Sequence, residues 1–126
     1  MIHAANEGSG YRTSFTNGNT TSVADMPIAN GGSGEGFGPH DLLEAALATC
    51  IVITARKYAS EHQLPLSSLE CEVGIDRTVA GSVAFDFQLK LEGELTPQQK
   101  QGLLEAVSRC PVARTLTGVA TLRPSA

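Results

Sequence analysis

Two stretches of the chain alternate apolar and polar residues with period two, and a third is apolar on nearly every side. Leu69, Cys71, Val73 and Ile75 alternate with Glu70, Glu72, Gly74 and Asp76. Val83, Phe85, Phe87, Leu89 and Leu91 alternate with Ala84, Asp86, Gln88, Lys90 and Glu92. Successive side chains of a strand point to opposite faces, so each run predicts a strand with one buried and one wet face. Gly81 lies between them and predicts the turn of a hairpin. The third stretch, Leu42 to Ala55, predicts a helix from about Pro39 to Ser60. Pro39 suits a first turn, where no N–H is required. Asp41 and Glu44 sit near its positive end, Arg56 and Lys57 near its negative end. Apolar residues on nearly every face mark a helix buried all round. One small domain hardly surrounds such a helix, and sharing it between two subunits would explain the pattern.

The flanking segments complete the outline. Tyr11 to Thr16 and Thr20 to Ala24 read as strands joined by the turn Asn17-Gly18-Asn19. A glycine-dense loop, Ala29 to Pro39, follows. Thr96, Pro97 and Gln99 predict a capping box opening a second helix. Leu103, Val107 and Cys110 share one face of it, and Pro111 interrupts it and begins a short new turn. Thr117 to Arg123 reads as a last strand. The order ββ-α-ββ-α-β predicts an α+β fold in a single domain spanning 1–126.

Composition narrows the function. A net charge of −4, with nine scattered Lys and Arg, argues against nucleic acid as a partner. The first residues lack the basic start and apolar centre of a signal peptide. The run from Leu42 to Ala55 contains Glu44 and falls short of the roughly 20 residues that span a bilayer. No membrane partner and a cytoplasmic location are therefore expected. Three cysteines in a reducing compartment do not suggest a disulfide scaffold. A charged content of only 17% is consistent with surface covered by oligomerisation.

The cysteines are the candidate chemistry. Cys50, in the middle of the apolar helix, is either a small core filler or a thiol awaiting an activating charge from Arg12, Arg109 or Arg114. Cys110, just before Pro111, either completes the Leu103–Val107 stripe or has free backbone N–H groups aimed at its sulfur, which would favour a thiolate. Cys71 is in phase with Leu69 and Val73 and reads as structural. The loop Gly31 to Gly38 has neither Gly-Lys-Ser/Thr nor G-x-G-x-x-G spacing and reads as a flexible crossover rather than a phosphate cradle. His3, His40 and His62 make no metal-spaced set with the cysteines. Glu70 and Glu72 read as solvation of the wet strand face.

The segments Gly38 to Thr54, GPHDLLEAALATCIVIT, and Arg109 to Gly118, RCPVARTLTG, together resemble the OsmC/Ohr family of thiol-dependent peroxidases. The resemblance spans about residues 10 to 123. It implies an OsmC-like fold, with curved antiparallel sheets around a buried central helix in an intertwined homodimer. It implies that Cys50 attacks an organic hydroperoxide and that Cys110 resolves the sulfenic acid to a disulfide. No cofactor is implied beyond an external dithiol reductant of lipoyl type. Family members hold the reactive thiolate with an N-terminal arginine, for which Arg12 is the candidate. They orient that arginine with a glutamate ten residues before the cysteine. His40 stands there, and Asp41 supplies the acid one place later, as in an OsmC-like subgroup. A rival reading keeps the fold but makes it a non-catalytic module that binds a small apolar ligand or serves a stress response.

Overall fold

In a computed structural model, residues 1–125 are described, and they fall into two compact units, the first Met1–Leu43 and the second from Glu44 onward. The first unit holds an antiparallel sheet of β1 (His3–Asn6), β2 (Thr13–Thr16) and β3 (Thr21–Ala24), in the order β1-β2-β3. The predicted hairpin is β2–β3, paired from Thr13↔Ala24 to Thr16↔Thr21. Its turn is held by Asn17, whose side-chain oxygen accepts the Asn19 and Thr20 N–H groups, each at 2.9 Å. β1 was not legible in sequence because its residues, HAAN, are exposed throughout and carry no alternation.

The loop after β3 is ordered around one carboxylate. Asp25 is buried and accepts the Met26 N–H at 2.7 Å, the Ser33 N–H at 3.1 Å and the Ser33 hydroxyl. A side chain at Gly32 would overlap the Met26 carbonyl oxygen, so the chain can close this tightly only at glycine. Phe37 then docks beside β3, donating its N–H to Val23 O at 3.0 Å and accepting the Asp25 N–H at 2.9 Å. The expected flexible crossover is thus a pinned loop. The Ser33 hydroxyl bond holds the Asp25 carboxyl below its ordinary range, outweighing the opposing effect of burial. A carboxyl with a depressed folded pKa adds stability above its unfolded pKa and loses it as pH falls through the folded value. Asp25→Asn should therefore lower the melting temperature at pH 7, and the gap from the parent should close on acidification below about pH 3. Thermal melts across pH measure this, and a gap that widens in acid contradicts it.

In the second unit, β4 (Leu66–Asp76) and β5 (Ala84–Gly93) form the predicted hairpin. Leu69↔Leu91, Cys71↔Leu89, Val73↔Phe87 and Ile75↔Phe85 stand opposite one another, so the two apolar sets meet on one face. Gly81 takes the left-handed conformation in the connection, at φ 76°. α2 (Pro97–Ser108) opens with the predicted capping box: Gln99 N–H donates to Thr96 Oγ1 at 3.1 Å and Thr96 N–H to Gln99 Oε1 at 2.9 Å. Thr96→Ala should cost about 1 kcal/mol in urea unfolding with an unchanged m-value.

α1 (Pro39–Glu61) begins in the first unit and continues through the second. It buries Leu47, Ile51, Ala55 and Ala59 along one stripe, which joins Leu66, Leu103, Val107 and Cys110 in a single core. The expectation of a helix buried all round is corrected within one chain, because Ile53 is 67% exposed. The last strand is also corrected. Pro111–Thr117 is a helix, α3, and 118–125 form no strand, leaving Val119 and Leu122 fully in solvent. Strand-forming residues make a strand only where a neighbouring strand takes up their N–H and C=O groups, and among the described residues no strand pairs with them.

Candidate functional site

The fold brings Cys50 and Cys110 together across sixty positions of sequence. Both thiols are free. α1 carries Cys50 on the border between its buried stripe and its exposed side, so the sulfur is half-buried. Cys110 is the N-cap of α3, fully buried beside Leu103 and Val107. Proline at the first position of α3 removes an N–H that would otherwise lack a partner and starts the new helix at that point.

Burial raises the Cys110 pKa above that of an ordinary thiol. The Ala113 and Val112 amides oppose this by favouring the thiolate, although neither closes a capping hydrogen bond with the sulfur. The neighbouring Cys50 thiol adds to the rise, both as a hydrogen-bonding contact and as a nearby charge. The sequence left open whether Cys110 completes the Leu103–Val107 stripe or is favoured as a thiolate by the amides. Both features are there, and desolvation, the larger effect, favours the thiol.

Cys50 opens onto a groove of about 610 Å³. Ala46, Thr49, Cys50, Ile53, Thr54 and Lys57 line it from α1, and Pro111 and Val112 from the start of α3. Cys71 is half-buried, pushed up in pKa first by burial and then by the nearby Cys110, and set in a cavity of about 300 Å³ that shares Thr49 and Ile53 with the Cys50 groove. It packs as the alternation in β4 predicted.

In the first unit, Arg12 is clamped by two carboxylates. Its Nε donates to Glu7 Oε2 at 2.9 Å and its Nη1 to Glu35 Oε2 at 2.9 Å. Neither acid was singled out in the sequence, since each pair joins residues that only the folding of the sheet and the pinned loop brings together. Asp41 accepts the Gly38 N–H at 2.8 Å, so its carboxylate caps the start of α1. His40 is exposed on the same first turn. Among the described residues, no group of His, Cys, Asp and Glu side chains forms a metal site. Among those residues, too, no helix is long and apolar enough to cross a membrane.

The structure is thus an α+β chain with two apposed free thiols, one buried and one opening on an apolar groove. The chain belongs to the OsmC-like protein family, whose model matches residues 32–124. No curated protein matches it in sequence. Among solved structures it is similar to an OsmC-like protein from Mycoplasma pneumoniae, at 24% identity and a TM-score of 0.78, over 94% of this chain and 87% of that one. It is similar to the organic hydroperoxide resistance protein OsmC of Legionella pneumophila, at 21% identity and a TM-score of 0.67, over 94% and 88%. It also resembles the organic hydroperoxide resistance protein OhrB of Bacillus subtilis, at 21% identity and a TM-score of 0.62, over 94% and 90%. At these identities the likeness is one of fold.

Proposed function

We propose that this chain is a thiol-dependent peroxidase that reduces organic hydroperoxides through Cys50 and Cys110. The observation that carries the reading is the pairing of a half-exposed thiol on an apolar groove with a buried thiol beside it. The Cys50 thiolate attacks the terminal oxygen of the hydroperoxide and breaks the O–O bond. The departing alkoxide takes a proton and leaves as an alcohol, and Cys50 becomes a sulfenic acid. The Cys110 sulfur then attacks the Cys50 sulfur, its proton leaves with the hydroxyl as water, and a disulfide remains. An external dithiol of lipoyl type restores both thiols by exchange and is itself oxidised to a disulfide. A raised pKa suits Cys110 to this order of events, because a protonated resolving thiol does not compete for the peroxide.

Arg12 is the proposed source of positive charge for the Cys50 thiolate, and Asp41 the acid that sets the start of the Cys50 helix. Arg12→Gln should slow peroxide reduction while the protein stays folded, as expected if the arginine helps to stabilise the attacking sulfur. Stopped-flow rates at neutral pH test this; an unchanged rate removes Arg12 from the site. We also assign the protein to the cytoplasm, where thiol reductants are at hand. A homodimer is proposed in which the second copy covers the Ala48–Val52–Ile53 side of α1, and sedimentation equilibrium tests it.

The deciding experiment treats reduced protein with one equivalent of cumene hydroperoxide, alkylates the remaining thiols and maps them by mass spectrometry. The proposal expects a rapid Cys50–Cys110 disulfide with Cys71 alkylated. A second reading, a module that holds a small apolar ligand, is favoured by another cavity of about 600 Å³ walled by Leu47, Ile51, Phe85, Val107 and Leu116. Unreacted thiols at positions 50 and 110 would select it.

A further inference from the structure

α3 stands between two hollows. Pro111 and Val112 at its start line the Cys50 groove, while Ala113, Leu116 and Thr117 line the cavity of about 600 Å³. Among the described residues, the two hollows share no lining side chain. Leu47, Ile51 and Val107 floor the cavity from the buried core, and Phe85 and Phe87 wall it from β5. Leu47 and Ile51 lie on the core-facing side of α1, not on the Ala48–Val52–Ile53 side assigned to the second copy. A volume of this order falls within the roughly 300–1,000 Å³ of small-molecule sites.

The lining sets the chemistry of an occupant. Among the described residues it carries no charged side chain, so an ionic ligand would lose its hydration without compensation. Its hydroxyls stand at the exposed rim, on Ser82, Ser108 and Thr117. Two of them already have their protons engaged: Ser108 Oγ donates to Leu104 O and Thr117 Oγ1 to Ala113 O, each at 2.8 Å. Those two oxygens offer lone pairs only, so a ligand meets them with an N–H or O–H group. The body of the cavity is apolar and carries two phenyl rings, which suits an aromatic occupant. α3 itself is weakly held. It is seven residues long, shorter than the ~12–15 that a free helix needs, and none of them is fully buried. Cys110 is its N-cap, so whatever supports the Ala113–Leu116 face also fixes the Cys110 sulfur beside Cys50.

We propose that this cavity is an effector site for neutral aromatic molecules carrying one N–H or O–H donor, and that its occupation pins α3 and the Cys110 thiol that caps it. The occupant supplies the contacts that Ala113 and Leu116 lack on the cavity side, so α3 opens locally less often. The coupling is reciprocal: the ligand favours the arrangement in which the two sulfurs meet, and that arrangement favours the ligand. Resting on the peroxidase reading, the consequence is faster resolution, because Cys110 is held where it attacks the Cys50 sulfenic acid. That attack forms the S–S bond and releases the hydroxyl with the Cys110 proton as water, and the effector is not consumed.

The test has two arms, so that this assignment and the peroxidase reading can fail separately. The probe is N-phenyl-1-naphthylamine, a neutral aromatic amine with one N–H whose emission rises in apolar surroundings. Its N-methyl derivative lacks the donor, and its 8-sulfonate carries a charge. The amine should bind about threefold to tenfold more tightly than the N-methyl form, as expected for one hydrogen bond, and about tenfold or more above the sulfonate. Ser108→Ala combined with Thr117→Val should remove the preference over the N-methyl form. Ala113→Leu and Leu116→Phe each fill part of the cavity and should abolish binding, with thermal melts showing which variant is folded. Saturating amine should slow alkylation of Cys110 by iodoacetamide about fivefold and leave Cys50 unchanged, read by mass spectrometry. Equal binding of the three compounds, emission that survives in a folded filled variant, or slowing at Cys50 in place of Cys110 overturns the assignment whatever the protein reduces. In the second arm, cumene hydroperoxide is added and the Cys50 sulfenic acid is captured with dimedone at intervals. Bound amine should shorten the lifetime of that acid, and an unmoved lifetime overturns the coupling. Neither sulfenic acid nor disulfide, with the first arm as expected, rejects the peroxidase and upholds the effector site.

Discussion

Cys50→Ser is expected to abolish hydroperoxide reduction, lowering turnover by about a thousandfold or more while the protein stays folded. A thiolate is a strong nucleophile that is accessible near neutral pH, whereas a serine hydroxyl in the same place has no comparable anion to offer. The substitution exchanges one small half-buried side chain for another, so stability should change little. Cys110→Ser should behave differently. Its first turnover should release one equivalent of alcohol per chain and then stop, with a sulfenic acid held on Cys50 that a dimedone-type probe captures. Both outcomes follow from the division of labour between a thiol on the groove and a thiol in the core. Parallel assays of alcohol release and sulfenic-acid labelling read them. A Cys110→Ser variant that turns over as the parent does would show that resolution does not pass through the core thiol. A Cys50→Ser variant that still reduces peroxide would move the chemistry to another residue.

The largest effect on stability should come from Leu103→Ala. Leu103 is fully buried, facing the core that Ile51, Val107 and Cys110 share, and α2 docks through it. Truncation removes apolar contact and leaves a cavity that helix packing closes only in part, which costs about 2–5 kcal/mol. For a domain of this size that corresponds to a fall of roughly 10–20 °C in melting temperature. Leu104, the next residue, is 43% exposed, and Leu104→Ala should stay within about 1 kcal/mol of the parent. The contrast between adjacent leucines tests the register of α2 directly. Equal losses at the two positions would mean that the outer face of α2 is also covered in solution.

Most of the elements were legible in the chain because each depends on a local pattern. The period-two runs from Leu69 and from Val83 became β4 and β5 with their apolar faces matched, Leu69 to Leu91 and Val73 to Phe87. Thr96 and Gln99 cap α2 through the two reciprocal bonds that their spacing predicts. Failures came where a pattern needed a distant partner. Thr117 to Arg123 has strand-like composition, yet its residues close α3 or run free, since Thr117 donates to Ala113 O at 2.8 Å and no strand receives the rest. The glycine-rich loop looked mobile because glycine is permissive, and the buried Asp25 that orders it lies outside the run of glycines.

The site divides in the same way. Sequence by itself determined that Cys50 lies on an apolar helix, that Pro111 interrupts the chain after Cys110 and begins a new turn, and that Cys71 faces the core from a strand. Only the tertiary structure decided that the Cys50 and Cys110 sulfurs meet, that burial outweighs the α3 amides at Cys110, and that Arg12 is held by Glu7 and Glu35. The physical reason is one of range. Periodicity, capping and proline act over a few residues and are written in the order of the chain, whereas desolvation and the meeting of distant side chains arise only once the core has closed around them.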